Sequence, residues 1–366
     1  MATKKTGTAK KPETSLLAKK LASQAKIMKS MAKDGGAGGR IPGQSPENVD
    51  FRPTGLPVFD EEVLGIGGLP KGKIIEMYGK ESSGKTAVFL YTAGMIQRED
   101  PSAVVKIYDA ERAWTDPWGL AMGLDLNRVI LPTFRGADAM AEQIQADLAS
   151  EYPPDIIGID SLAVIQPSQI LGKRVEDLNM NDNMARASFY TSFFNKIVDG
   201  YYWPPLKKKE KLGANNKFYD LKSSRTSLVC INHAKQKTES SNGQSWTVWY
   251  TVGGVSLDFH ASIRLMCRRG KIEAKDKLQF QIVHLKADKN KLAPPQRECD
   301  IKLSYKGGME QVGSVNYLEM AEQKALVAVE GSWIKATFLP GGQMQGRDNF
   351  NAFVNTDPDV KKLIAG

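Results

Sequence analysis

The fold is decided by the stretch KIIEMYGKESSGKT at residues 73–86. Its last eight residues match G-x-x-x-x-G-K-[ST], a loop that wraps nucleotide phosphates. Gly79 and Gly84 allow backbone torsions that turn successive amides toward an anion. The residues before the loop predict a strand and those after it a helix, which favours a nucleotide site over a chance glycine-rich turn. The predicted nucleotide-binding residues are Gly79, Lys80, Glu81, Ser82, Ser83, Gly84, Lys85 and Thr86.

Two of these side chains have distinct expected roles with ATP and Mg²⁺. Lys85 brings a positive charge to the β- and γ-phosphates, and Thr86 offers its hydroxyl to the metal. Asp160 ends the apolar run 155–159 and is predicted to hold the water shell of Mg²⁺. An aspartate at a strand end is more often a turn or cap residue, but the upstream phosphate loop favours the metal role.

A carboxylate that activates water is also expected. Glu111 follows the predicted strand 103–108, so its side chain would project toward the γ-phosphate. The alternative is a surface ion pair with Arg112. Placement at a strand end favours the catalytic role, which makes Glu111 and Lys85 the first predicted catalytic residues.

The composition is typical of a soluble globular protein, with 41% apolar and 25% charged residues among 366. No apolar run approaches the ~20 residues of a membrane span, so no membrane association is expected. The cysteines Cys230, Cys267 and Cys299 are scattered, which predicts neither disulfides nor a zinc site. A reducing compartment, the cytoplasm, fits best.

The net charge of +9 is concentrated at the N-terminus, where residues 1–40 contain ten basic and two acidic residues. Such an arm either contacts nucleic acid or is a solvated tail, and composition does not separate these alternatives. Apolar residues at helical spacing predict an amphipathic helix over about 14–33, followed by a glycine-rich linker. We assign this arm to residues 1–50.

After residue 50, short apolar runs alternate with helical stretches. This alternation predicts an α/β fold, with a mostly parallel sheet covered by helices on both faces and ligands at the carboxyl ends of the strands. The stretch 201–225, rich in proline and lysine, predicts a surface excursion. The core is placed at 51–307 and a small α+β domain at 308–366. Strands are predicted at 73–78, 103–108, 128–131, 155–159 and 227–231, and helices at 87–92 and 137–149.

Residues 68–86 resemble bacterial RecA recombinases, and so do the turn DAE at 109–111 and the run IGIDSLA at 157–163. The resemblance covers most of residues 51–366 in the same order, which is more specific than the phosphate loop alone. It implies a RecA-type ATPase core. Departures, such as His233 in place of the family's glutamine, favour a divergent recombinase of bacterial or phage origin, such as the UvsX group. Further matching stretches are INH at 231–233, GG at 253–254, ASIRL at 261–265 and KNKLAPP at 289–295.

The resemblance implies roles for further residues. Trp118 lies where an aromatic ring stacks on adenine. Asn232 and His233 end the strand beside the γ-phosphate, where His233 would bind nucleotide and report its state to DNA. Lys289 and Lys291 match catalytic lysines that reach the ATP of a neighbouring subunit. Without the resemblance, His233 would be a structural histidine and the two lysines an ordinary basic turn.

Two segments are implied to bind DNA, at about 168–183 and about 235–252. Their basic residues would neutralise phosphates, and their aromatic rings would stack on bases without reading sequence. Small polar residues predict that the second segment is a mobile loop until DNA arrives. Exposed aromatic residues also mark protein interfaces, and that alternative stays open. The predicted DNA-binding residues are Lys173, Arg174, Met180, Arg186, Lys235, Lys237, Trp246, Trp249, Tyr250, Gly253 and Gly254.

The resemblance thus predicts a recombinase that forms a homo-oligomeric helical filament on single-stranded DNA and pairs it with homologous double-stranded DNA while hydrolysing ATP. A loader or a single-strand-binding protein is an expected partner. Two other functions remain in view. A hexameric helicase of the same fold is disfavoured by the two lysines followed by Pro294 and Pro295. A regulatory or scaffold ATPase of the circadian-clock type usually has two tandem phosphate loops, and this chain has one.

Overall fold

The computed structural model describes residues 16–33, 49–177, 179–202, 225–241, 244–252, 256–275, 278–313 and 315–365. The predicted glycine-rich linker and nearly all of the predicted excursion at 201–225 lie outside these residues. The helices are α1 (Leu16–Lys33), α2 (Lys85–Glu99), α3 (Asp116–Ala121), α4 (Gly136–Leu148), α5 (Ser168–Leu171), α6 (Met180–Tyr202), α7 (Ser256–His260), α8 (Tyr317–Gln323), α9 (Arg347–Thr356) and α10 (Pro358–Ala365).

The strands range in length from two residues in β1 to fifteen in β7. They are β1 (Phe51–Arg52), β2 (Leu69–Pro70), β3 (Ile74–Gly79), β4 (Val105–Asp109), β5 (Val129–Ile130), β6 (Ile156–Asp160), β7 (Ser227–Ser241), β8 (Gln244–Thr251), β9 (Ile263–Lys275), β10 (Leu278–Asn290), β11 (Glu298–Ser304), β12 (Met309–Gln311), β13 (Ala328–Glu330), β14 (Trp333–Lys335) and β15 (Gln343–Gln345).

The chain divides into two compact units. One unit holds residues 1–48 with 206–220, of which the structure describes α1, formed where an amphipathic helix was predicted. The other unit holds residues 49–205 with 221–366. No helix among the described residues is long and apolar enough to cross a membrane.

The second unit is built on one sheet with the strand order β12-β11-β10-β9-β3-β7-β6-β4-β5. From β9 through β3 to β5 all neighbouring strands run parallel, whereas β9 to β12 are antiparallel. The predicted mixed α/β fold with a mostly parallel sheet is therefore confirmed. Because β3 lies between β9 and β7, the segment that follows it leaves the sheet at a central position.

Alternate residues of the central strands face opposite sides of the sheet. In β7, Val229 and Ile231 belong to a buried cluster that includes α2, whereas Leu228 and Cys230 belong to a second cluster that includes α4 and α6. Helices thus cover both faces, as predicted. Each fully buried Val, Ile or Leu side chain contributes about 1.5–3 kcal/mol relative to an exposed one, so this sheet is a rigid platform for the residues at its edge.

The C-terminal segments add to the first of these clusters. Tyr317, Phe350, Val354 and Ile364, from α8, α9 and α10, are buried in the cluster that contains α2. Strands β13, β14 and β15 form a separate antiparallel sheet, and β12 extends the central sheet. The proposed domain boundary at 307/308 stays a prediction.

Candidate nucleotide site and DNA interface

The phosphate loop joins the end of β3 to the start of α2. At Gly79 an added Cβ would lie 2.1 Å from the carbonyl oxygen of Cys267, so only glycine fits beside β9. Gly84 has φ +89°, a left-handed conformation that favours glycine. Gln281 of β10 donates a hydrogen bond to the Ser82 carbonyl (3.1 Å) and braces the loop from outside. A glycine-containing turn that leads into the N-terminus of a helix is suited to bind an anion through its backbone amides.

Lys85, the first residue of α2, is held against the phosphate loop. Its side chain is 6% exposed, and its ammonium donates to the carbonyl oxygens of Gly79 (3.2 Å) and Lys80 (2.7 Å). Burial lowers the pKa of Lys85, while the negative charges of Asp160 and Glu111 oppose that shift. The ammonium is thus poorly hydrated and well placed to gain an anionic partner.

Thr86 and Asp160 place two oxygen atoms beside the loop. The Thr86 hydroxyl donates to Oδ2 of Asp160 (2.7 Å), although the two residues belong to different elements, α2 and β6. Burial raises the pKa of Asp160 to about 6, and the nearby Glu111 and Asp109 charges add to the rise, against the hydrogen bond from Thr86. A hydroxyl and a carboxylate are oxygen ligands of the kind that Mg²⁺ prefers.

No group of three or more His, Cys, Asp or Glu side chains among the described residues could hold a metal ion by itself. Mg²⁺ in nucleotide sites needs only one or two protein oxygens, because phosphates and water supply the others. The pair formed by Thr86 and Asp160 therefore fits Mg²⁺ bound together with a nucleotide.

Glu111 lies immediately next to this pair. The amide of Glu111 donates to the Asp160 carbonyl (3.2 Å), and its carboxylate Oε1 contacts both Ser161 Oγ (2.5 Å) and His233 Nε2 (2.8 Å). Burial raises the pKa of Glu111, but the hydrogen bonds from Ser161 and His233 outweigh it, so the pKa is lowered overall. The carboxylate is therefore ionised at neutral pH and faces these partners rather than Arg112. Ser161 follows Asp160 in the sequence, yet its contact was not predicted.

A buried polar network supports the strand that carries His233. Asn232 donates to Glu76 Oε1 (3.0 Å) and to the Val252 carbonyl (2.8 Å), and Arg264 Nε donates to Glu76 Oε2 (2.5 Å). Burial raises the pKa of Glu76, and the Arg264 guanidinium opposes that rise. Burial lowers the pKa of Arg264, but the charge of Glu76 and the hydrogen bond to it act in the opposite direction, and the pKa is raised overall. The network ties β3, β7 and β9 together at the base of the segment that begins with residue 234.

That segment differs from the predicted mobile loop. β7 continues beyond the sheet and pairs antiparallel with β8, from Ala234 opposite Thr251 to Ser241 opposite Gln244. The physical reason is composition, since Thr, Val, Trp and Tyr residues favour strands. The sequence also contained a signal that we missed. Asn242-Gly243 lies between the two strands in the chain, and Asn-Gly flanked by such residues is the strongest short-range hairpin signal.

The hairpin separates the residues that were predicted to bind DNA. Lys235 lies opposite Tyr250, and Trp249 lies opposite Gln236. Cross-strand neighbours share a face and adjacent residues do not. Lys235 and Tyr250 therefore occupy one face and Trp249 the other, where the Lys80 ammonium lies 5.2 Å from its ring centroid. For Lys237 and Trp246 the structure describes the backbone, opposite Val248 and Glu239, and Gly253 and Gly254 lie outside the described residues.

The first predicted DNA segment consists of α5, a 3-10 turn at Val175–Asp177 and the start of α6, which begins at Met180. Lys173 is paired with Asp182 (2.5 Å), whereas Arg174 forms an exposed ion pair with Glu176 (3.3 Å). Arg186 lies within α6, and its buried Nε has no hydrogen-bond partner among the described residues. Lys173 and Arg174 both form ion pairs, and the side chain of Arg174 is the more exposed of the two.

The remaining predicted residues lie at two other places. Trp118, on α3, is half-buried and packs against the cluster that contains α2. Lys289 and Lys291 donate to backbone carbonyls of Asp258 and Phe259, and the Lys291 bond is 2.6 Å long.

The register of the sheet shows how far these lysines are from the phosphate loop. Asn290, between the two lysines, pairs with Ile263, and Ile263 pairs with Ile75 at the start of β3. The phosphate loop follows Gly79 at the other end of β3. With strands rising about 3.3 Å per residue, the two lysines lie near the opposite edge of the sheet from the chain's own phosphate loop.

A mostly parallel sheet whose central strand enters a phosphate loop, flanked by Asp160 and Glu111 at neighbouring strand ends, defines a P-loop nucleotide-binding protein of the α/β class. The chain matches the family model described as RecA N-terminal domain over residues 22–190 and 214–310. It belongs to the RecA family, which confirms the resemblance inferred from its motifs.

Individual relatives agree with this assignment. The chain is 31% identical over 319 residues to protein RecA of Caulobacter vibrioides (strain NA1000 / CB15N), and the alignment covers 86% of this chain and 78% of that protein. It is 30% identical over 342 residues to protein RecA of Bifidobacterium longum (strain NCC 2705), covering 93% of this chain and 77% of that protein. Identity to protein RecA of Lactobacillus acidophilus is 28% over 341 residues, covering 93% and 84%.

Proposed function

We propose that this RecA-like recombinase is a DNA-dependent ATPase that forms a helical filament on single-stranded DNA and exchanges that strand with a homologous duplex. One observation carries the proposal. β7 bears His233 against the carboxylate of Glu111 and then continues directly into the exposed hairpin. Nucleotide chemistry and a basic, aromatic surface thus share one strand.

The proposed nucleotide chemistry follows from the site. The loop amides and Lys85 bind the phosphates of ATP, the half-buried ring of Trp118 offers a flat surface for adenine, and Thr86 with Asp160 holds Mg²⁺. When bound, Mg²⁺ neutralises charge that develops on the phosphates. Glu111 acts as general base toward water, because its lowered pKa keeps it ionised and Ser161 fixes its orientation.

His233 is the proposed connection between the two sites. It contacts Glu111 at 2.8 Å, and the hairpin begins at the next residue, Ala234. A shift of the hairpin on DNA would therefore move the imidazole relative to the base. Such coupling is reciprocal, so ATP must change the affinity for DNA by the factor by which DNA changes the affinity for ATP.

The proposed DNA surface combines charge with stacking. Lys235 and Tyr250 share one hairpin face, and the Tyr250 side chain is 47% exposed. Arg174 is exposed in the first predicted DNA segment, at about 168–183. Lysine and arginine neutralise phosphates, and an aromatic ring stacks on a base of any identity. We infer the same role for Lys173, Met180, Arg186, Lys237, Trp246, Gly253 and Gly254.

The proposed filament contact uses the edge of the sheet opposite to the phosphate loop. Lys289 and Lys291 flank the backbone of Phe259, whose side chain is 70% exposed. A large apolar side chain beside two cations forms a surface that a second copy can bury. Because this edge differs from the phosphate-loop edge, the contact is head-to-tail, and it gives an open helix when the rotation between neighbouring copies does not close a ring. The two lysines would then face a neighbour's ATP. We place this assembly in the cytoplasm, with a loader or single-strand-binding protein as partner.

The test is electron microscopy of the full chain with ATP, Mg²⁺ and a long single strand, combined with a strand-exchange assay on homologous duplex DNA. We expect helical filaments and joint molecules that form only with homologous sequence. Closed six-membered rings would indicate the helicase instead. The absence of any DNA-dependent assembly would favour the scaffold ATPase.

Removing residues 1–40 should leave a folded, ATP-binding protein that assembles poorly. The narrow apolar stripe of α1, which includes the half-buried Leu21 and Ala25, would be buried on a neighbouring copy. Filament length at matched protein concentration measures the effect. The control is the full chain with the lysines Lys19, Lys20 and Lys26 replaced by glutamine, which keeps the stripe. Filaments of normal length from the truncated chain would show that the arm is a solvated tail.

A further inference from the structure

Lys80 and Trp249 form a contact that the proposed function does not use. The Lys80 ammonium lies over the indole ring, 5.2 Å from its centroid, within the range of a cation–π interaction. Lys80 is an exposed residue of the phosphate loop, and Trp249 is 36% exposed on β8. The contact therefore joins the loop that binds phosphates to the hairpin that would bind DNA.

The backbone fixes both partners close to the nucleotide. Lys80 directly follows Gly79, which pairs with His233, and the hairpin starts one residue after His233. The carbonyl of Lys80 also accepts a hydrogen bond from the Lys85 ammonium at 2.7 Å. Lys80 is thus attached through its backbone to the phosphate-binding lysine and through its side chain to the hairpin.

An indole face cannot hold an ammonium and a DNA base at the same time. Trp249 lies on the hairpin face opposite to Lys235 and Tyr250, so the ring face that Lys80 covers can stack on a DNA base only after Lys80 leaves it. The contact therefore opposes stacking of Trp249 on DNA when the phosphate loop holds no nucleotide.

We propose that Lys80 is a positioning residue that keeps Trp249 on the phosphate loop and away from single-stranded DNA until a nucleotide draws the Lys80 ammonium off the ring. The attraction comes from the triphosphate, whose charge lies in the loop that contains Lys80. This inference rests on the proposed function and adds a second nucleotide-dependent connection beside His233. The contact is termed the Lys80–Trp249 latch.

The test measures the affinity of the full chain for a fluorescein-labelled oligothymidylate by anisotropy, with and without a non-hydrolysable ATP analogue. A cation–π contact at an exposed site changes an equilibrium by about two- to fivefold. We expect Lys80→Met to tighten nucleotide-free DNA binding by that factor. The gain in DNA affinity produced by the analogue should shrink by the same factor.

Whether Lys80→Met tightens or weakens DNA binding distinguishes the latch from a simple contact between Lys80 and a DNA phosphate. If Lys80 simply neutralises a phosphate, Lys80→Met weakens DNA binding. The matched control is Lys235→Met, which removes the same charge from the opposite hairpin face and should weaken binding. Lys80→Arg retains a cation for the ring and should reverse the tightening of nucleotide-free DNA binding that Lys80→Met produces.

A second readout follows the ring itself. The contribution of Trp249 to acrylamide quenching is the difference between wild type and Trp249→Phe. In wild type this quenching should increase when the ATP analogue binds. In Lys80→Met it should already be high without the analogue. Nucleotide-free DNA binding by Lys80→Met that is unchanged or weaker overturns the latch alone. A wild-type chain that binds no single-stranded DNA in either state overturns the proposed function as well.

Discussion

Replacing Glu111 with glutamine should leave ATP binding near wild type and lower the rate of ATP hydrolysis by about 10²–10⁴-fold. Glutamine keeps the size of the side chain and an oxygen that accepts the hydrogen bond from Ser161 Oγ, which is 2.5 Å long in the native protein. It removes the ability to take a proton from water. DNA-stimulated turnover and the affinity for a fluorescent ATP analogue, measured side by side, check the result.

Two further variants serve as comparisons for Glu111→Gln. Lys85→Ala should lose nucleotide binding itself, because it removes the buried charge that we propose binds the phosphates. Glu99→Gln, the same substitution at the exposed far end of α2, should behave like wild type. Hydrolysis by Glu111→Gln within a few fold of wild type would show that another group activates water.

The strands of the parallel half could be predicted closely from the sequence, except that β7 extends to Ser241 beyond its predicted end at residue 231. The run 155–159 predicted β6, which spans Ile156–Asp160, and the helix predicted at 137–149 is α4, Gly136–Leu148. Strands that are buried on both faces appear as nearly continuous apolar runs, so their position needs no knowledge of their neighbours. The phosphate loop was found for a similar reason, since its motif is contiguous.

The antiparallel half of the sheet was not assigned. In β9 every second residue at the start of the strand is buried, namely Ile263, Leu265 and Cys267. That period-two pattern was present in the sequence, but charged positions such as Arg268 and Arg269 interrupt any continuous apolar run. The contacts of Glu111 with Ser161 and His233 were also missing from the prediction, because they join residues 50 and 122 positions apart.

The contact between Glu76 and Arg264 shows most clearly that contacts between distant residues are not predicted from the sequence. The two residues are 188 positions apart and meet because β3 and β9 are parallel neighbours, with Glu76 directly opposite Arg264. A glutamate within the apolar run IIEMY is the only local sign of it. A charged residue in a buried strand requires a partner, but sequence alone does not identify which cation supplies it.

Replacing Arg264 with methionine should lower the free energy of unfolding by about 3–5 kcal/mol at pH 8, because it leaves a buried carboxylate without its counter-charge. The Glu76 side chain is fully buried and that of Arg264 is 16% exposed. Asn232 would remain as the donor to Glu76. The midpoint of chemical denaturation of the nucleotide-free chain, at unchanged slope, measures the loss.

Arg268→Met is the matched control on the same strand. Arg268 faces Glu298 at 3.6 Å, and both side chains are more than half exposed. An exposed ion pair of this kind contributes about 0–1 kcal/mol, so this variant should unfold near the wild-type midpoint. Replacing both Glu76 and Arg264 with methionine should recover part of the loss, since no buried charge then remains uncompensated. Equal losses from Arg264→Met and Arg268→Met would mean that the buried pair stabilises no more than a surface pair.

The loss caused by Arg264→Met should also depend on pH. Burial already raises the pKa of Glu76 above its ordinary value of 4.5, and removing the guanidinium raises it further. A carboxyl with a raised pKa in the folded state contributes stability that is complete below the unfolded pKa and disappears as the pH rises through the folded pKa. The variant is therefore expected to be closest to wild type near pH 5, where Glu76 can take up a proton, and furthest from it at pH 8. A loss of the same size at both values would show that the guanidinium acts through packing against Tyr78, whose ring lies 4.8 Å from it, rather than through charge.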